Sequence, residues 1–255
     1  MNARGFTLIE LVISIAIASI VVVFATMFIS APIGAYEAHS RRAALVDDTS
    51  GAWPRMERDL HAALPNSLRT RRNGSFVVIE MLRVVAVVRY IDPPSAYFKV
   101  AGGVATIPGY LSEMPGADVY APGGSLASAA GFSIAAEGAS GEYRITLVAA
   151  PSFPASPRQR LYFVEGPVTY LCDESRGTLR RYANYAVAQF QTARDTPAEM
   201  GSAGELVTQG LTSCNFVVAD PVAGNPFQTA AVHLTTTRNG DSITLLHTAR
   251  AEYAP

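Results

Sequence analysis

Glu10 is the residue whose type and place most plainly call for chemistry. It is the one acid in an apolar run that opens at Phe6, behind a short leader ending in Arg4-Gly5. From Leu11 to Ile29 the chain carries no charge for nineteen residues, enough for one helical membrane span. A carboxylate at the centre of such a helix costs roughly 2.5–3.5 kcal/mol, and less toward its ends. An ionisable group kept there marks a functional site and calls for a partner charge. Positive charge in the leader and none in the span places the N-terminus in the cytoplasm and the rest of the chain outside.

The remaining reactive side chains are sparse. Cys172 and Cys214 are the two cysteines. An even count in an extracytoplasmic domain suggests one disulfide, with two buried thiols or half of a metal site as the alternatives. No Cys-x-x-Cys or His-x-x-x-His spacing supports a metal. A bridge closing that loop would contribute roughly 4 kcal/mol in the chain-entropy view. The four histidines lie apart: His39 and His61 on helical segments as surface residues, His233 and His247 on the strands of the last hairpin. No nucleophile elbow, phosphate-binding loop, dinucleotide fingerprint or zinc-protease motif is present, so neither enzyme activity nor a cofactor is expected. Net charge is −1, and Lys99 is the one lysine beside nineteen arginines, which offers no electrostatic case for nucleic acid. The pairs Arg41-Arg42, Arg71-Arg72 and Arg180-Arg181 read as solvated surface.

Gly5-Phe6-Thr7-Leu8-Ile9-Glu10-Leu11-Val12 resembles the class III signal of type IV pilins and pseudopilins. The resemblance implies a prepilin peptidase that cuts after Gly5 and methylates the new amino terminus at Phe6, with Glu10 used in assembly. Phe6 and Glu10 are four apart and share a helix face. Glu10 would then neutralise its own terminal ammonium or that of a neighbouring subunit, since a paired charge in an apolar medium costs far less than a lone one. Further along, residues 58–69 look like the post-helix segment of the large minor pseudopilins. Residues 161–172, 177–182, 211–216 and 242–247 resemble one subgroup of them, the MshO-like proteins of the mannose-sensitive haemagglutinin (MSHA) pilus system, with the J-type minor pseudopilins of type II secretion as the next relatives. The partners implied are prepilin peptidase, other major and minor pilin subunits and the inner membrane. A pilin-borne adhesin module, with its ligand surface in residues 92–141, is a further reading.

The elements that would carry these groups follow from periodicity and breakers. Residues 1–5 form a leader, 6–31 a transmembrane and assembly helix, 32–65 an extramembrane helical segment and 66–255 a β-rich extracytoplasmic domain. Pro32 and Gly34 should interrupt and kink the first helix. Trp53, Met56, Leu60 and Leu64 recur at helical spacing, with Pro54 in the first turn and Pro65-Asn66 as the stop. Trp53 is expected to anchor that helix on the sheet. Strands are expected over 76–82, 84–91, 97–100, 132–134, 142–149, 160–164, 168–172, 178–182, 215–219, 230–238 and 242–250, and a loop over 192–204. Asn239-Gly240 between the last two is a hairpin signal. The fold class is therefore α+β and pilin-like: a long N-terminal transmembrane helix continuing into a globular domain with an antiparallel sheet.

Overall fold

Residues 8–28 are apolar but for Glu10 and three hydroxyl side chains, and they wind into the first part of helix α1 (Leu8–Ser50). The computed structural model describes residues 7–91, 97–102, 110–113, 126–128, 131–138, 141–148, 159–188, 190–220 and 227–252. It divides into two compact units, 1–46 and 47–255. Helical structure continues through Pro32 and Gly34, where the sequence suggests an interruption. A proline within a helix removes one amide donor, and the bonds on either side of it can persist.

The second unit begins with α2 (Trp53–His61), which has proline in its first turn and buries Met56 and Leu60. It stops short of the expected Pro65. The Ala63 backbone forms an isolated bridge with Arg83, the Leu64 amide donates to the Leu82 carbonyl at 2.7 Å, and the Val84 amide to the Ala62 carbonyl at 2.7 Å. Pairing with a strand thus claims the backbone before the helical spacing of side chains runs out.

The strands that follow are β1 (Arg69–Asn73), β2 (Phe76–Arg89), β3 (Tyr97–Ala101), β4 (Tyr110–Glu113), β5 (Leu126–Ser128), β6 (Phe132–Glu137), β7 (Glu142–Leu147) and β8 (Arg160–Asp173). Then come β9 (Thr178–Ala183), β10 (Glu205–Gln209), β11 (Leu211–Ala219), β12 (Thr229–Arg238) and β13 (Asp241–Arg250). All described pairings are antiparallel. A seven-stranded sheet runs β1-β2-β8-β4-β5, with β9 also on β8 and β10 on β9. Two three-stranded sheets, β11-β12-β13 and β3-β7-β6, complete the described fold.

Two strands merge what the sequence presents as four. β2 runs through Arg83, with register shifts between Arg83 and Ala86 that take up the break. β8 runs through Glu165-Gly166-Pro167: β4 pairs with residues 161–164 of it, and β9 with residues 168–173. Among the described residues the stretch between has no partner strand on that edge, so Pro167 interrupts no described ladder there. β1 and β10 escape periodicity, because Arg69–Asn73 has no apolar alternation and β10 is short. The final hairpin forms at Asn239-Gly240, both with positive φ, as a two-residue turn of that type requires.

The main core lies inside the second unit. Met56, Leu60 and Ala63 from the α2 segment meet Val77, Ile79, Met81, Tyr170, Cys172 and Leu179 of the large sheet. Phe216, Val232 and Leu234 of the β11-β12-β13 sheet close it. A second core packs Phe98, Val100, Phe132 and Ile145 of the β3-β7-β6 sheet against Leu161 and Phe163 of β8. The architecture is α+β: an N-terminal apolar helix followed by an antiparallel β domain, the pilin-like arrangement.

Candidate functional site

The described N-terminus is built on Thr7. Its carbonyl accepts the Glu10 and Leu11 amides at 3.1 and 3.2 Å, and its Oγ1 accepts the Glu10 amide at 3.3 Å. The same hydroxyl donates to Glu10 Oε2 at 3.4 Å. Thr7-Leu8-Ile9-Glu10 therefore opens α1 as a Thr-x-x-Glu cap, in which the carboxylate folds back toward the helix start. A negative charge in the first turn also suits the positive end of the helix dipole. Gly5 and Phe6, the candidate cleavage and methylation residues, lie outside the described residues. Sequence reasoning alone passes over Thr7, and the Thr-x-x-Glu spacing is the signal that marks it.

Behind Glu10 a 21-residue stretch, Leu8–Phe28, is long and apolar enough to cross a membrane. Its hydroxyls are satisfied within the helix. Ser14 Oγ donates to the Glu10 carbonyl at 2.7 Å, Ser19 Oγ to the Ile15 carbonyl at 2.7 Å and Thr26 Oγ1 to the Val23 carbonyl at 2.9 Å. Polar side chains bonded to their own backbone can enter hydrocarbon without leaving an unmet group. Glu10 is then the one ionisable group of that span, and it sits at the end where a charge costs least.

In the β domain Cys172 of β8 and Cys214 of β11 form a disulfide, with Cα atoms 6.4 Å apart. It fastens the large sheet to the β11-β12-β13 sheet through the main core. Glu174, in the turn after β8, doubles this fastening. It pairs with Arg72 of β1 at 2.7 Å and accepts the Cys214 amide at 2.9 Å and the Ser213 hydroxyl at 3.1 Å. Arg72 also donates to the Cys214 carbonyl at 2.8 Å. Burial pushes the Glu174 carboxyl up, but Arg72 and the two donors outweigh it and hold it below the usual range.

Three further polar knots hold the large sheet. Asp59 of α2 accepts from Tyr170 Oη at 2.7 Å and from Arg181 Nε at 2.6 Å. Burial and then the Asp59 charge drive the Tyr170 phenol far above its ordinary range, so it acts as a fixed donor. On the other face Glu80 is buried, paired with Arg69, and accepts from Tyr185 at 3.2 Å. Desolvation outweighs Arg69 and raises the Glu80 carboxyl. Asp195, in the loop after β9, is held by Arg71 at 2.6 Å and Asn73 at 2.9 Å. Arg71, Arg72 and Arg181 are thus structural ion-pair partners, which corrects the sequence reading of solvated surface.

The histidines come together in no cluster. His39 and His61 are exposed. Val232 pairs with His247 and Leu246 with His233, so the two histidines point to opposite faces of the hairpin. His247 stacks on Trp53 at 4.4 Å between ring centroids and 11° between planes. Trp53 is half-buried and joins α2 to β13 at the rim of the core. No group of three potential metal ligands occurs among the described residues. Most of residues 92–141, where an adhesive surface was expected, lies outside the described residues.

One family's sequence model, described as the prokaryotic N-terminal methylation motif, matches residues 1–26. No curated protein and no solved structure matches the chain. The matched segment contains the leader, the Gly5-Phe6 junction, the Thr7 cap, Glu10 and most of the apolar span. It supports a pilin-like N-terminus of the kind that prepilin peptidase processes and that assembles with other pilins.

Proposed function

We propose that this chain is a minor pilin or pseudopilin that takes part in building an MSHA-type IV pilus. In this reading prepilin peptidase cuts after Gly5 and methylates Phe6. The apolar helix stores the subunit in the inner membrane, N-terminus in the cytoplasm and β domain in the periplasm. The processed helix then enters the fibre core and the large domain sits at the tip, where it primes assembly. The observation that carries the reading is the methylation motif over residues 1–26, continuous with a membrane-length helix whose first turn holds Glu10. The segments between residue 161 and residue 247 that resemble MshO-like proteins support the choice of pilus system.

Glu10 supplies the assembly chemistry. While the subunit is stored, the Thr7 hydroxyl and the helix start partly satisfy its carboxylate. In the fibre it meets a methylated ammonium at Phe6, its own or a neighbour's. Exchange of a weak neutral contact for a charge pair in an apolar medium favours the assembled state. The test is the intact mass and N-terminal peptide of membrane-extracted protein, made with and without prepilin peptidase. A chain that starts at methylated Phe6 only with the peptidase is the expected result. A chain that still starts at Met1, or is cut beyond Ile29, would overturn the reading. Purification of the processed protein with sheared pili, rather than with a secretion apparatus, tests the pilus assignment.

A further inference from the structure

The β11-β12-β13 sheet ends in two outer strands, and they differ. β11 is covered: its Cys214 amide donates to Glu174 at 2.9 Å, its Cys214 carbonyl accepts from Arg72 at 2.8 Å, and its Leu211 amide donates to the Gly177 carbonyl at 3.0 Å. β13 pairs, among the described residues, with β12 alone. That ladder runs from Arg238 opposite Asp241 to Thr229 opposite Arg250 with no register shift. The two-residue turn makes Arg238 and Asp241 a hydrogen-bonded pair, and such pairs alternate along an antiparallel ladder. The Ala251 amide keeps that alternation, donating to the Gln228 carbonyl at 3.0 Å. The main-chain groups of residues 241, 243, 245, 247 and 249 therefore face β12. Those of Ser242, Thr244, Leu246, Thr248 and Arg250 face outward, where no described main-chain group bonds them.

Proteins ordinarily blunt such an edge with a bulge, a proline, a lysine or a short length. β10 shows two of these devices, being five residues long with a register shift between Leu206 and Thr208. β13 is ten residues long and has none of them. Its side chains specify what would lie beside it. On the core side Ala230, Val232 and Leu234 of β12 are at most 1% exposed, whereas Ile243, Leu245 and His247 of β13 are only half-buried. Trp53, stacked on His247, is half-buried at the same rim. The core thus lacks cover where one more strand would lie. On the opposite face Ser242, Thr244, Leu246 and Thr248 are exposed, Leu246 at 58%. Arg250, exposed at the end of that row, has no ion-pair partner among the described residues. A matching strand carries apolar residues toward the rim, hydroxyls on the other face and an acid beside Arg250.

We propose that β13 docks an extended, amphipathic segment of another polypeptide as a fourth strand of this sheet. Its apolar side chains extend the core past Ile243, Leu245 and Trp53, its hydroxyls lie beside Thr244 and Thr248, and its acid meets Arg250. The site stands apart from the N-terminal motif and does not depend on the pilin reading. Antiparallel docking, the mode of every described pairing in this domain, puts the acid at the N-terminal end of the bound segment.

The test uses the full chain in detergent and a fluorescein-labelled peptide of about nine residues, Glu-Val-Thr-Val-Thr-Val-Thr-Val-Ser, long enough to span β13. Fluorescence anisotropy should report saturable binding. Trp53 is the one tryptophan of the chain, so unlabelled peptide should shift its emission to the blue as the rim is covered. A peptide with Pro in place of each Thr keeps the acid and the apolar row, lacks the amides that face β13 and should not bind. Thr248→Pro removes an outward amide without touching the β12 ladder, and should weaken binding roughly tenfold or more. Arg250→Glu, at an exposed side chain, carries the test if that variant does not fold. It should weaken the acidic peptide roughly two- to fivefold and favour a peptide that begins with Lys by a similar factor. Absence of binding up to about 1 mM overturns the proposal. So does equal binding of the Pro peptide, or binding that leaves the Trp53 emission unchanged. A concentration-dependent dimer that Thr248→Pro abolishes, without peptide binding, would assign the edge to a second copy of the chain and overturn the proposal.

Discussion

At the residue scale, the groups that matter are those whose charge has to be met. Glu10 is met weakly, by a threonine hydroxyl at 3.4 Å, and that leaves it available for a stronger partner. Glu10→Ala should leave cleavage largely intact and lower the fraction of protein in sheared fibres relative to the membrane pool. Thr7→Val removes the cap, at about 1 kcal/mol of helix-start stability, while Thr7→Ser keeps it. Asp59 is met strongly, and its loss exposes the opposite problem. Asp59→Ala leaves the Arg181 charge buried beside Tyr170, and should cost about 3–5 kcal/mol, read as a lowered urea midpoint. Glu174 carries a pH signature. Its folded carboxyl titrates below the unfolded one, so its contribution is present above the ordinary glutamate range and is lost as pH falls through the folded value. The stability difference between the parent and Glu174→Gln should therefore be widest near neutral pH and should close as pH falls through the folded value. A difference that does not vary with pH would mean the charge contributes nothing.

Among the elements, the helices and sheets are joined by a few discrete fastenings. The disulfide and the Glu174 contacts both tie the turn after β8 to β11. The Cys172→Ala, Cys214→Ala double variant should lose roughly 2–5 kcal/mol, seen as a lower denaturant midpoint. The two fastenings share one corner, so adding Glu174→Gln should cost less or more than the sum, and a double-mutant cycle measures the coupling. Gln228 plays the part of a missing backbone neighbour. Its side-chain amide accepts from the Leu68 amide at 2.8 Å and donates to the Leu68 carbonyl at 3.2 Å. Neither the sequence around Gln228 nor Arg71-Arg72 hinted at these partners, since the contacts link residues more than one hundred apart.

For the whole molecule, the division at Val46 and Asp47 predicts that the second unit holds its own fold. It contains the disulfide, the described strands and the cores around α2, β2 and β8. A fragment of residues 47–255 should be soluble, keep the disulfide and unfold cooperatively. A fragment that aggregates or lacks the bridge would contradict this. The apolar span, by contrast, meets its polar needs through its own backbone and depends on the membrane for the rest.

The sequence by itself determined the parts that are local. An uncharged run of membrane length, a Thr-x-x-Glu cap and an Asn-Gly turn each act within a few residues, so their meaning survives without a fold. The α+β class was legible for the same reason, because helical spacing at Trp53, Met56 and Leu60 and Val-rich runs beyond residue 75 declare their elements directly. The tertiary structure decided what depends on distance along the chain. Only it ends α2 at the backbone of β2, merges two apparent strand pairs into β2 and β8, and turns Arg71, Arg72 and Arg181 from surface into fastenings. A side chain's partner is set by which strands lie side by side, and that pairing follows from burying the whole core at once rather than from any single stretch of residues.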